Sequence, residues 1–141
     1  GDEVVTGQIA DTNTRFVAQR LMDLDILPVA HEAVPDDERA LAEAIARAAA
    51  RAPLVIMSGG LGPTDGDLTR AALARVLECP LVVDEGWRAA LEAMLQRRGR
   101  VMTERQARQT LRPTAARCVH NDYGTAPGLI AAIDAPGSAH G

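Results

Sequence analysis

Apolar positions along this chain alternate between helical and strand-like rhythms. Val17, Leu21 and Leu24 recur at i, i+4 and i+7 behind the cap candidates Asp11-Thr12-Asn13-Thr14, which predicts a helix over 12–25. Ile26, Leu27, Val29 and Val34 then form a β-like run over 26–34, with Pro28 near its start. Pro35-Asp36-Asp37 reads as a turn and helix start, and Leu41, Ile45 and Ala48 carry the next apolar stripe to about residue 51. Pro53 restarts the chain into a strand over 54–57, Leu54-Val55-Ile56-Met57. A glycine-rich stretch follows, then a helix lined by Leu73, Val76 and Leu77 that ends near Cys79-Pro80. Leu81-Val82-Val83 is a short strand; Asp84 caps a helix with Trp87, Leu91, Met94 and Leu95 on one face, and Gly99 closes it. Thr103-Glu104-Arg105-Gln106 has the capping-box spacing, and Pro113 ends the short helix it opens. A second glycine-containing loop, 121–128, precedes the apolar run 129–133, and a small, polar tail over 135–141 is expected to be loose.

Strands that alternate with helices indicate one α/β domain with a mainly parallel sheet covered on both faces. Ligands of such sheets collect at the carboxyl ends of the strands. The two glycine loops and the Pro35-Asp36 turn all follow or flank predicted strands, so that edge is the expected site.

Composition narrows the function classes. The 141 residues carry 47% hydrophobic and 24% charged side chains, ordinary for a globular domain, but only 2% aromatics, so Leu, Val, Ile and Ala must build the core. A net charge of −4 and three aromatics argue against nucleic-acid binding, which needs a basic face or stacking platforms. No apolar run approaches the roughly 18 residues of a membrane helix, and no signal peptide opens the chain. Cys79 and Cys118 are isolated, which fits a cytoplasmic protein with reduced thiols. His31, His120 and His140 show no zinc-ligand spacing.

The chemistry concentrates in Ser58-Gly59-Gly60-Leu61-Gly62-Pro63-Thr64-Asp65-Gly66-Asp67-Leu68-Thr69. Glycines let the backbone turn sharply and approach a ligand closely, and the N–H groups of a following helix favour an anion such as phosphate. The stretch is neither a P-loop, since no Gly-Lys-Ser/Thr follows, nor a dinucleotide fingerprint, since Asp65 stands where the third glycine is due. Asp36 and Asp67 each follow a predicted strand and are candidates to share a hard divalent cation, Mg²⁺, Mn²⁺ or Co²⁺, that bridges phosphate oxygens. Asp2, Glu3 and Asp65 are further acidic candidates near that edge. The plainer alternative is an ordinary strand-to-helix turn, with Asp67 and Asp36 as helix N-caps.

Three motifs in order carry a resemblance: Gly7-Gln8-Ile9-Ala10-Asp11-Thr12-Asn13; Ser58-Gly59-Gly60-Leu61-Gly62-Pro63-Thr64 with Asp67-Leu68-Thr69; and Gly124-Thr125-Ala126-Pro127-Gly128. Together they resemble the molybdopterin-binding-like domain, in particular the N-terminal domain of the competence/damage-inducible CinA proteins, and Val34-Pro35-Asp36-Asp37 resembles a turn of the MogA and MoaB proteins. The resemblance implies a three-layer α/β/α sandwich over 1–141 that lacks the family's first strand and C-terminal segment. It implies a phosphorylated small-molecule ligand and homo-oligomers. Asp36 and Asp67 would be the catalytic and metal-holding pair, with both glycine loops binding phosphate and Asp2, Glu3, Gly7, Asn13 and Thr69 in support. CinA-type domains imply divalent-cation-dependent hydrolysis of ADP-ribose-type pyrophosphates; the MogA branch implies molybdopterin as the ligand instead, and the third alternative is a non-catalytic binding domain that has kept the fold.

Overall fold

The computed structural model describes residues 1–133. Six helices carry most of it: α1 Asp2–Val5, α2 Thr12–Met22, α3 Glu38–Ala49, α4 Thr69–Val76, α5 Glu85–Arg97 and α6 Glu104–Ala107. Four strands, β1 Leu81–Val83, β2 Leu111–Pro113, β3 Ala116–Val119 and β4 Gly128–Ala131, complete it, and a 3-10 turn over Arg108–Thr110 feeds β2.

The helix starts follow side-chain capping. Asp11 accepts the Thr14 N–H, Asp37 the Ala40 N–H and Asp84 the Trp87 N–H, each at 2.8 Å. Thr103 and Gln106 form the reciprocal capping box at α6, as their spacing predicts. Gly99, with φ of 66°, ends α5 in the left-handed conformation.

Two apolar seams hold the helices. Leu41, Ala42 and Ile45 on α3 bury against Ala72 of α4, with Val34, Leu68, Val76 and Ile133 around them. Trp87, Leu91 and Leu95, spaced by four residues, form the buried stripe of α5. Arg112 stitches this half together: its Nε donates to Asp84 Oδ2 at 2.8 Å, and Nη1 donates to the carbonyls of Pro113, Thr114 and Ala116.

The sheet differs from the one expected. Among the described residues, β1 pairs antiparallel with β2, Val82 opposite Arg112, and β3 pairs antiparallel with β4, Cys118 opposite Leu129. No parallel ladder forms among the described residues. The runs 26–34 and 54–57 have strand composition but lie in no ladder; apart from Ile26, whose N–H donates to the Leu21 carbonyl at 2.9 Å, no backbone N–H of either run donates a hydrogen bond among the described residues. An apolar run becomes a strand only where a neighbour takes its N–H and C=O groups. β2 lies where the sequence reading placed the end of a helix, β3 where it placed no element, and α1 where it placed a loop. The expected loose tail, 135–141, lies outside the described residues.

Candidate functional site

The stretch 58–67 is a loop, as its glycines require, and it leads into α4. Gly59 and Gly60 have φ of 102° and 68°, a region that side chains with a Cβ rarely enter. A Cβ on Gly60 would collide with Thr69 Oγ1, and one on Gly62 would come within 2.6 Å of an Asp67 oxygen. The loop is therefore folded tightly back on the start of α4.

Three side chains fix it there. Thr69 donates its hydroxyl to the Gly59 carbonyl at 2.9 Å and its N–H to the Gly60 carbonyl at 3.2 Å. Asp67 accepts the Gly62 N–H on Oδ1 and the Thr64 N–H on Oδ2, both at 2.8 Å, and also the Thr64 hydroxyl. Arg70, only 5% exposed, donates to the carbonyls of Leu61 and Gly62 from beneath. Asp67 is thus the loop's internal brace. The helix N-cap is Leu68, which supplies no side-chain bond, so the N-cap alternative for Asp67 is not what the structure holds. At α3 the cap is Asp37 rather than Asp36.

Burial pushes the Asp67 carboxyl up, but the donors of Thr64 and Gly62 and the nearby Arg70 charge outweigh it and hold the group below its ordinary value of 3.8. Arg70 loses some basicity to burial, opposed by Asp67, and stays a cation. Its Nε is buried without a partner among the described residues. What the braces leave over is a run of donors: the N–H groups of Gly59, Gly60 and Leu61 bond to no acceptor among the described residues. Successive free N–H groups in such a turn form a concavity for an anion.

The other expected residues are placed as follows. Asn13, at the start of α2, donates from Nδ2 to Ser58 Oγ at 2.9 Å and so joins the first motif to the glycine loop. Asp36 is exposed; its N–H donates to Asp2 Oδ1 at 3.0 Å, and its carboxylate lies beside Gly1 and Glu3. Gly7 follows α1 with φ of 73°, facing open space. Gly124, Thr125, Ala126, Pro127 and Gly128 close the turn between β3 and β4, where Asn121 Nδ2 donates to the Ala126 carbonyl at 2.8 Å and Pro127 is fully buried. No hydrogen bond or ion pair among the described residues joins this turn to the glycine loop, or Asp36 to Asp67. Pro63 is half-buried and Thr64 exposed.

A protein-held cation does not fit this arrangement. The Asp67 oxygens face N–H and O–H donors, Asp36 sits with Asp2 at another helix start, and no group of three or more His, Cys, Asp or Glu among the described residues is disposed around a common point. Sequence reasoning missed two arginines. Arg70 is signalled only by a cation among the buried positions of α4, Thr69, Ala72 and Ala74. Arg108 pairs with Asp65 across 43 residues, which no local pattern announces.

A loop braced by an aspartate and an arginine, open on a row of N–H groups, thus leads into α4 of an α/β domain. The family profile described as "Probable molybdopterin binding domain" matches residues 1–138, and the chain belongs to that family. Within it the chain is similar to the CinA-like protein of Desulfosudis oleivorans (strain DSM 6200 / JCM 39069 / Hxd3), 41% identical over 133 residues. The CinA-like protein of Anaeromyxobacter sp. (strain Fw109-5) is 39% identical over 133 residues. Each alignment covers 94% of this chain and 32% of the relative, so the chain spans about a third of those proteins. Among solved structures, that of the protein CinA with unknown function from Thermoplasma acidophilum superposes with a TM-score of 0.84 at 31% identity, covering 94% of this chain and 78% of that one. Among the described residues no helix is long and apolar enough to cross a membrane.

Proposed function

We propose that this domain binds a phosphorylated small molecule on the N–H groups of Gly59, Gly60 and Leu61, and that it hydrolyses an ADP-ribose-type pyrophosphate bound there. The observation that carries the reading is the braced loop: Asp67 and Arg70 occupy the Gly62 and Thr64 donors and the Leu61 and Gly62 acceptors, so the remaining N–H groups are held in place for an incoming oxyanion. In the reaction a water oxygen attacks one phosphorus, the bridging P–O bond breaks, and the products are AMP and ribose 5-phosphate. The loop's part is to fix the phosphate and to stabilise charge that builds on its oxygens. A divalent cation, in this reading, arrives with the phosphates, and no step is assigned to one held by Asp36 and Asp67. The turn 124–128 is the candidate for the far end of the ligand. A cytoplasmic homo-oligomer is the expected setting.

A second reading, molybdopterin as the ligand, is favoured by the family description itself. The same loop would then hold the pterin's phosphate.

The test is incubation of the purified 141-residue chain with ADP-ribose and Mg²⁺, Mn²⁺ or Co²⁺, with AMP followed by chromatography. AMP release that is lost in Asp67→Asn and in Gly60→Ala supports the hydrolase. No AMP with any of the three metals, from protein whose urea unfolding is cooperative, rules it out; saturable binding of molybdopterin by that same protein would select the second reading.

A further inference from the structure

Helix α2 rests on the domain without being packed into it. None of its 11 residues is buried. Thr14, Val17, Ala18 and Leu21 form a half-buried inner stripe, and Phe16 and Met22 stand outside it, 59% and 61% exposed. A helix of this length is marginal in water unless tertiary contacts hold it. One polar contact does. Asn13 Nδ2 donates to Ser58 Oγ at 2.9 Å, across 45 positions of sequence. Among the described residues it is the only hydrogen bond or ion pair from 12–22 to any residue beyond Ile26. Asp11 caps the helix, so the Asn13 side chain has no capping duty.

Ser58, at the other end of this contact, immediately precedes the row of free N–H groups at Gly59, Gly60 and Leu61. Its Oγ accepts from Asn13, so the hydroxyl proton is left over, and it donates to no acceptor among the described residues. Asn13 therefore selects what Ser58 can offer, which is a donor beside three others. An oxyanion seated on the row is the acceptor that this hydroxyl lacks. A hydroxyl that donates to an anion becomes a better acceptor itself, because chained hydrogen bonds polarise one another. A ligand on the loop thus strengthens the bond that holds α2. Linkage makes the effect reciprocal: a seated α2 strengthens the hold on the ligand by the same factor.

We propose that Asn13 is a positioning residue for the glycine loop and that α2 is a strap coupled to it: phosphate on the loop tightens the Asn13–Ser58 bond and orders α2, and an ordered α2 tightens phosphate through the same bond. The inference rests on the Gly59–Leu61 N–H groups as the phosphate site, and it adds regulation to that site: whatever lifts α2 off the domain weakens the ligand.

The probe is inorganic phosphate, added to the ¹⁵N-labelled 141-residue chain, with loop amides followed by chemical shift and α2 amides by hydrogen exchange. The Gly59, Gly60 and Leu61 signals are expected to move. Exchange over 14–22 should slow about threefold at saturation, the coupling that one modest hydrogen bond supports. Asn13→Ala should still titrate at the loop, about threefold more weakly, with α2 exchange no longer responding. Ser58→Ala should do the same, and the double variant should lose no more than either single one. Ser58→Thr keeps the hydroxyl and should keep both responses. Asn13 and Ser58 are exposed, so cooperative urea unfolding is expected in every variant. A loop that titrates while α2 exchange stays unchanged, or an Asn13→Ala chain whose α2 responds as in wild type, overturns the strap and leaves the loop reading standing. Slowed α2 exchange with silent loop amides, or no response in either, refutes both.

Discussion

Replacing Asp67 by Asn separates a bracing carboxylate from a merely adjacent one. The wild-type side chain accepts three hydrogen bonds, one on Oδ1 and two on Oδ2. Asn keeps the Oδ1 acceptor for Gly62 N–H but turns an NH₂ group toward the Thr64 N–H, so that bond is lost and the hydroxyl must rotate. Arg70, buried below, also loses its nearest opposing charge. Thr64 is exposed and its freed donors can turn to water, which places the cost at the low end for charge-assisted bonds, about 1–2 kcal/mol. With a urea slope of about 2 kcal/mol per M, the midpoint should fall by about 0.5–1 M. Trp87, the sole tryptophan and 4% exposed, reports the transition by fluorescence. The pH dependence fixes the cause. Because the folded-state pKa lies below 3.8, the carboxylate's contribution is fully present above that value and is lost as pH falls through the folded pKa. Wild type and Asp67→Asn should therefore differ at neutral pH and converge as pH falls through the folded-state pKa. Equal midpoints at pH 7, or a gap that persists unchanged about one unit below the wild-type titration, would refute the brace.

Other expectations follow from the same contacts. Gly60→Ala forces a Cβ into the left-handed region and against Thr69 Oγ1; a loss of about 1–2 kcal/mol from the backbone alone is expected in the same urea assay, and a wild-type midpoint would count against the loop geometry. Leu91→Ala empties a fully buried position on α5 and should cost about 2–5 kcal/mol by calorimetry; a loss under about 1 kcal/mol would mean the α5 seam is not packed as described. Burial raises the Cys118 thiol to about 11, with Asp84 adding to it, whereas the Thr114 side chain lowers Cys79. Iodoacetamide at pH 8 should therefore label Cys79 well before Cys118 by peptide mass mapping, and the reverse order would contradict that environment.

The sequence made the helices legible because their signals are local. Asp11, Asp37, Asp84 and Thr103 announce four starts within three residues of each cap, and the 87/91/95 spacing names the buried face of α5. The glycine loop was legible for the same reason: Gly59 and Gly60 do adopt the conformations that glycine alone reaches freely. The sheet was not. Leu54-Val55-Ile56-Met57 has the composition of an inner strand, but composition specifies a strand's environment and not its partner. β2 and β3 were hidden behind Pro113 and the short length of each run, where tertiary pairing with β1 and β4 overrides weak local preference. At the site, sequence adjacency gave Asp67 but not its role. That role depends on Gly62 and Thr64 folding back onto it and on Arg70 closing the loop from below.

The segments outside any ladder make a claim of their own. Leu54, Val55, Ile56 and Met57 are 51%, 37%, 50% and 38% exposed, and Leu27 and Val29 are more so, at 76% and 71%. Phe16 and Met22 on α2, a helix with no buried residue, add to the open apolar surface. Scattered apolar residues on a surface are ordinary, but consecutive ones with unpaired backbone are not. Their composition is that of strands covered on both faces, and a further extended strand is what their free N–H and C=O groups would accept. In the 141-residue chain the amides of 54–57 should exchange with solvent at nearly unprotected rates, while those of α3 and α5 are slowed by the stability of the core. A hydrophobic dye should bind the native protein, and its fluorescence should fall when Leu54 and Ile56 are both made Thr, with the urea midpoint little changed. Protection at 54–57 equal to that of α5 would mean that these residues already have a ladder partner, and the open face would not exist.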